Sequence, residues 1–286
     1  MPVSFSCPFL DLDQIAQSGQ CFQWKLIAPK SYIIISGKRA VCCVQNGQEF
    51  QFSCSQEDFP SYWRHYFDLD TDYGAMISRV SPSDPALFQA AKTGFGIRIL
   101  HQEPWEVMVS FLISQNNNIP RITACLDRLR RAFGSPIAPI PELAFPTKKE
   151  DLFQFPFPHQ LANATEQDFA ALGMGYRSKY LFRLVQQMKD GNLECFLSRL
   201  SLLKGQELQK TLCSLYGVGP KVADCIALFA LHRLDRFPVD THISAVLSQY
   251  YPLGFPEERY AGFQGVMQQY LFYCHRLGVL ESQQPA

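Results

Sequence analysis

Two side chains in this 286-residue sequence are placed to do chemistry together, Lys221 and Asp240. Lys221 follows Tyr216-Gly217-Val218-Gly219-Pro220, a tight turn between two amphipathic stretches. Leu208, Leu212 and Leu215 share one helical face before the turn; Val222, Ile226, Phe229 and Ala230 share one after it. Two glycines permit positive φ and close approach of another backbone. Pro220 suits the first position of a helix. The pattern predicts a helix–hairpin–helix from Glu207 to about His232, with Lys221 in the first turn of the second helix. A cation there opposes the helix dipole at a cost of about 0.3–1 kcal/mol, where a purely structural design would place Asp or Glu. The same field favours an uncharged amine, the form that attacks carbon. Asp240 follows the turn at Pro238 and opens another helical pattern through Ile243, Val246 and Leu247. Its plain role is a helix cap, and a cap also fixes where a carboxylate points.

A hairpin of this kind aims free main-chain N–H groups at a helix N-terminus, a ready site for phosphate. Gly217, Gly219 and Val222 would supply it. A glycine turn alone also fits an ordinary αα-hairpin. Lys plus Arg and Asp plus Glu number 26 each, so any affinity for a polyanion must come from local patches and such donors. The chain is 47% hydrophobic, enough for a large core. Ten cysteines lie scattered without CxxC spacing, as in a reducing, intracellular setting, and no terminal cluster suits an iron–sulfur centre. No signal peptide and no membrane-spanning run is expected.

The elements that must position these residues divide in two, giving an α+β class. Residues 1–82 alternate apolar and polar, with β-formers at Tyr32, Ile33, Ile34, Ile35, Val41 and Val44 and a turn at Asn46-Gly47. They predict an antiparallel sheet domain, preceded by a short helix from Asp11 to about Gln17 that stops at Ser18-Gly19. Residues 83–286 read as helical. Trp105, Val109, Leu112 and Ile113 share helical spacing, as do Ile122, Cys125, Leu126 and Leu129. A Pro-rich loop is expected from Ser135 to Pro146, a last helix from about Glu257 to Leu277, and a frayed tail from Glu281 to Ala286.

The run Leu212-Cys213-Ser214-Leu215-Tyr216-Gly217-Val218-Gly219-Pro220-Lys221-Val222-Ala223-Asp224-Cys225, with Pro238-Val239-Asp240-Thr241-His242, resembles the helix–hairpin–helix DNA glycosylase superfamily. Within it the chain is most similar to the 8-oxoguanine DNA glycosylase family, from Ser18 to about Phe272. The resemblance implies that Lys221 attacks the sugar C1′ of a flipped nucleotide and displaces its base. Asp240 would stabilise the positive charge that develops on the sugar. The resulting Schiff base permits β-elimination, which nicks the strand. His242 would touch a phosphate beside the flipped nucleotide.

The resemblance also implies a lesion pocket. In Ser18-Gly19-Gln20-Cys21-Phe22-Gln23-Trp24, the Gly19 carbonyl would accept the N7–H that 8-oxoguanine carries and guanine lacks. Cys225 and Phe272 would sandwich the base, beside Pro238. Gln268, chosen over Gln269 for its i,i+4 relation to Phe272, would read the Watson–Crick edge. Read as residues alone, Gly19 is a helix C-cap and Phe272 a core aromatic. In Gln115-Asn116-Asn117-Asn118-Ile119-Pro120-Arg121, Asn116 would plug the gap left by the base. Arg121 and Arg177 would bind the orphaned cytosine, and Tyr176 would wedge into the stack. The carbonyls of Cys213, Leu215 and Val218 match positions that can hold a structural cation, while the chemistry needs no cofactor.

The implied activity is therefore a bifunctional glycosylase and lyase, acting as a monomer on duplex DNA with 8-oxoguanine opposite cytosine and extending to formamidopyrimidine. The implied compartment is any that holds DNA inside the cell. Three alternatives stand beside it. A monofunctional alkylbase glycosylase would need only the aspartate. The endonuclease III branch would need four cysteines after the hairpin, and only Cys274 follows Asp240. A non-catalytic hairpin DNA-binding protein would have no use for Lys221 paired with Asp240.

Overall fold

The computed structural model describes residues 2–137 and 152–280. Strands β1 (Val3–Ser6), β2 (Trp24–Ala28), β3 (Ser31–Ser36), β4 (Arg39–Asn46) and β5 (Glu49–Phe52) form one antiparallel sheet in the order β1-β5-β4-β3-β2. Helix α1 (Leu12–Gln17) does not precede the sheet as expected. β1 comes first and pairs with β5, so α1 is inserted between β1 and β2. Four residues, Val-Ser-Phe-Ser, are too short a run for alternation to stand out from loop. Gly47, at φ +62°, closes the hairpin between β4 and β5, with Asn46 paired to Glu49.

Alternation fails at β3, whose six residues are all buried. Tyr32 and Ile34 join Val41, Cys43, Phe50 and Phe52 in the core of the sheet unit. Ile33 and Ile35 face Pro120, Thr123 and Ala124 of the helical region across a small cavity. A strand covered on both faces carries a continuous apolar run, as Tyr-Ile-Ile-Ile does.

The helices that build the site are α2 (Pro85–Thr93), α3 (Pro104–Ser114), α4 (Ile119–Phe133), α5 (Arg177–Met188), α6 (Gly205–Cys213), α7 (Pro220–Ala230), α8 (Thr241–Tyr250) and α9 (Gln264–Leu277). α3 is buried continuously from Trp105 to Ile113, as its all-round apolar surface requires. α7 packs along it, with the Phe111 and Phe229 rings stacked 5.3 Å apart. Gly265 lets α9 approach α7, because a Cβ there would meet Leu228 at 2.5 Å and the Arg236 carbonyl at 2.7 Å.

Several boundaries differ from expectation. α6 ends at Cys213, leaving Leu215 buried in the turn, and α7 ends at Ala230. The expected helix from Glu257 is a 3-10 turn, Glu257–Tyr260, separated from α9 by a bend at Gly262 with φ +91°. Most of the expected loop from Ser135 to Pro146, and the tail from Glu281 to Ala286, lie outside the described residues. The two units interlock around residue 82: Tyr73 and Val80 belong to the helical core, while Leu100 belongs to the sheet's core. Buried Glu106 on α3 ties them further by accepting the Gly37 N–H at 2.7 Å, and burial pushes its carboxyl up to about 8. Among the described residues no helix is long and apolar enough to cross a membrane.

Candidate active site

The two ends of the hairpin use glycine differently. Gly217 sits at φ +86°, and a Cβ there would come within 2.7 Å of the Tyr180 ring, so both conformation and space demand glycine. Gly219 is extended, and a Cβ would meet nothing within 4 Å. Its function is as the residue capping α7: with no side chain it satisfies none of the first-turn N–H groups, and no side chain caps the helix. Those donors are left at the mouth of a cleft that Gly219, Pro220, Lys221 and Val222 all line.

The cleft encloses about 980 Å³. Lys221 enters from one wall, half-buried, with its Nζ 5.7 Å from the centre of the Phe111 ring and its charge acting on the Cys225 thiol one turn on. Burial pushes that thiol up to about 11, partly offset by Lys221, so Cys225 stays a neutral packing group. Asp240 reaches the same cleft as the N-cap of α8. One oxygen accepts the Ile243 N–H at 2.9 Å, and the residue lines the cleft. Capping and presenting the carboxylate are thus one structural act.

The opposite wall joins residues more than 250 positions apart. Gly19, at φ +76°, ends α1, and a Cβ there would press on the Phe272 ring at 3.1 Å. Gln20 fixes that corner. Its amide donates to Ser18 Oγ and the Arg98 carbonyl and accepts the Leu100 N–H, all between 2.8 and 2.9 Å. Phe272 meets the His242 ring edge-on at 5.4 Å, and His242 Nδ1 lies 3.1 Å from His275 Nδ1. Gln268 is buried rather than lining the cleft. It donates to the Pro238 carbonyl at 3.0 Å and accepts from Gln269 at 3.0 Å. Pro238 therefore joins the site as the acceptor that orients Gln268.

The Gln115–Asn118 corner forms the third side. Asn116 is exposed, lines the cleft and holds φ +47°, which Asn tolerates better than most residues. Arg177 is buried and clamps this corner, donating from Nε to the Gln115 carbonyl at 2.7 Å and from Nη2 to the Asn116 carbonyl at 2.6 Å. Arg121 instead is exposed, with Nη2 3.3 Å from the Gly173 carbonyl. Tyr176 stands 52% exposed at the rim. Leu215, among the carbonyls matched to a cation position with Cys213 and Val218, already accepts the Val218 N–H at 3.0 Å and keeps its second lone pair.

Sequence reasoning missed Phe111, Phe22, Gln115 and Arg276. Arg276 had a readable signal, four residues after Phe272 on the same helical face; it lines the cleft and donates to the Gln17 carbonyl. Gln115 ties the corner to the hairpin by donating to the Gly217 carbonyl at 3.0 Å.

Residues 3–108 match the model of the 8-oxoguanine DNA glycosylase N-terminal domain, and residues 109–261 match that of the HhH-GPD superfamily base excision DNA repair proteins. The chain belongs to the 8-oxoguanine DNA glycosylase family. It is 33% identical over 268 residues to the N-glycosylase/DNA lyase of Saccharomyces cerevisiae, covering 85% of this chain and 69% of that protein. MBOgg1, solved with a low-affinity DNA ligand, superposes with a TM-score of 0.88 at 34% identity over 97% of this chain and 96% of its own. The Clostridium acetobutylicum 8-oxoguanine glycosylase/lyase, solved with duplex DNA containing cytosine opposite 8-oxoguanine, superposes at 0.85 with 32% identity, over 97% of this chain and 98% of its own. The 8-oxoguanine glycosylase family and the α+β class expected from sequence are both borne out, and the chain is a DNA glycosylase and lyase of base excision repair.

Proposed function

We propose that the glycosylase and lyase steps of this chain both run through Lys221, on duplex DNA with 8-oxoguanine opposite cytosine. The observation that carries this reading is that Lys221 and Asp240 line one cleft, facing Gly19 and Phe272. A flipped nucleotide entering it sets its sugar against Lys221 and its base between Cys225 and Phe272. The neutral amine attacks C1′, the N-glycosidic bond breaks, and the base leaves with its electron pair; the C1′–O4′ bond then breaks, O4′ taking the amine's proton, to leave an open-chain iminium. Asp240 stabilises the cationic sugar without itself bonding. Loss of a proton from C2′ of the iminium then expels the 3′ phosphate. All of this is side-chain chemistry and calls on no cofactor.

Gly19 would separate lesion from guanine by accepting N7–H. Gln268 would read the base edge after exchanging its bonds to Pro238 and Gln269. Free donors at Gly219 and Val222, with His242, would hold the flanking phosphates; the bend at Gly217 aims them. A cation on the carbonyls of Cys213, Leu215 and Val218 would bridge to the same backbone. Asn116 and Tyr176 would fill and wedge the vacated stack. Arg121 is already exposed for the orphaned cytosine, whereas Arg177 would have to release its carbonyls. The protein would act as a monomer, inside the cell where DNA is held; all its cysteines are free thiols.

Cleavage of duplexes pairing 8-oxoguanine, formamidopyrimidine or guanine with each opposite base tests the assignment. We expect the two lesions opposite cytosine to be nicked fastest and guanine not at all. Equal cleavage opposite adenine would contradict the opposite-base reading, and failure on 8-oxoguanine would contradict the substrate.

A further inference from the structure

Away from the cleft, three side chains from distant stretches converge where the sheet unit meets the C-terminal end of α7. They are Asp68, His101 and His232, and their donor atoms all lie within 4.8 Å of one another. Nε2 of His101 is 3.3 Å from one carboxylate oxygen of Asp68, and Nε2 of His232 is 3.4 Å from the other. Two ligands held about 2.0–2.2 Å from a tetrahedral zinc ion stand about 3.3–3.5 Å apart. Both Nε2 atoms face the carboxylate, and the imidazoles stack with centres 3.6 Å apart and planes 19° apart, so taking one ion in both ring planes requires one imidazole to turn out of the stack.

The surroundings are those of a supported ligand. Thr71 donates its hydroxyl to one Asp68 oxygen at 2.7 Å and Tyr73 to the other at 2.8 Å, which fixes the carboxylate as outer-shell partners do at metal sites. Burial alone would push the Asp68 carboxyl up, but the hydrogen bonds from His101, His232 and Thr71 hold it well below the usual range, so it is charged. Burial pushes His101 down, towards the neutral imidazole that ligates. Asp68 and His232 both adopt left-handed backbone, at φ +51° and +50°, which Asp and His enter more readily than most residues. His101 and His232 are each partly open to solvent, so water can complete the shell.

We propose that Asp68, His101 and His232 bind one divalent transition-metal ion of the zinc class, which braces the sheet unit against the end of α7. Two imidazoles and a carboxylate select such an ion over magnesium or calcium. His232 lies two residues beyond the end of α7, and Lys221 sits in that helix's first turn, roughly 14 Å of helix from Ala230, so the ion braces the helix and takes no part in base removal. His232 Nε2 also lies 3.1 Å from the Ile99 carbonyl, and the proton shared there leaves as the metal arrives. This inference does not rest on the glycosylase reading.

The test is cobalt titration of the full-length chain after treatment with chelator. We expect one equivalent bound, with visible ligand-field absorption, displaced by zinc but not by magnesium, and a melting temperature raised by zinc. His232→Asn and His101→Asn change partly exposed side chains; each should weaken binding at least about tenfold with its circular dichroism spectrum unchanged. Absence of stoichiometric binding, or a strong near-ultraviolet thiolate band assigning the ion to cysteines, would overturn the proposal. So would a melting temperature that zinc does not raise and that His232→Asn lowers, since the cluster would then be a hydrogen-bonded latch alone.

Discussion

The two walls of the cleft are built in opposite ways. On the hairpin wall, Lys221 and Asp240 are each fixed by their own few neighbours: a proline-started helix after a glycine turn for one, a helix cap for the other. On the facing wall, Gly19 and Phe272 are brought together by a contact spanning the chain, with Gln20 holding the Gly19 corner to Arg98 and Leu100. On the proposed roles, chemistry would rest on local structure and base recognition on long-range packing. Damage to the first should slow the reaction with the fold intact. Damage to the second should loosen the fold and lesion binding together.

The sharpest break in this comparison is Asp240→Asn. Asparagine caps a helix as well as aspartate, so the melting temperature should hold while base release falls about 10²–10³-fold. A matching loss of stability would show that the carboxylate's charge supports the fold. Next comes Arg177→Ala, which strips donors from the partly buried Gln115 and Asn116 carbonyls. Unfolding in urea should show about 1–3 kcal/mol lost, with binding of lesion duplex weakened as the Asn116 corner relaxes. Gly19→Ala should cost about 1–2 kcal/mol for left-handed backbone alone and raise KM for lesion duplex, because the new methyl displaces Phe272. An unchanged KM would mean that the Gly19–Phe272 contact is incidental to recognition.

The smallest effect concerns the seam behind both walls. Glu106 is raised from 4.5 to about 8 by burial. Between those values the folded state keeps a proton that the unfolded chain has released, so stability declines as pH rises through that window. Glu106→Gln keeps an acceptor for the Gly37 N–H and should flatten the decline, with the gain over wild type greatest near pH 8. Parallel pH profiles for the two proteins would contradict the buried-acid account.

The same division explains what could be read from sequence. The hairpin wall was legible because glycine, proline and apolar spacing act within a few residues. The sheet was legible at Asn46-Gly47 and through β-formers, but β1 was too short to register and β3 is covered on both faces. Gly19 read by itself was only a helix end; its pocket role came from family resemblance. The commitment of Gln268 to Pro238, and of Arg177 to carbonyls, depends on backbone placement that no spacing encodes. Asp68, His101 and His232 carry no local pattern at all.

The central claim is that one amine performs both steps. Borohydride added during turnover of 8-oxoguanine duplex reduces an iminium to a stable amine, which gel mobility and peptide mass then locate. A covalent protein–DNA adduct should form on Lys221, and both the adduct and strand nicking should be absent in Lys221→Gln. Base release by wild-type protein with no trappable adduct, or an adduct that survives Lys221→Gln, would contradict it.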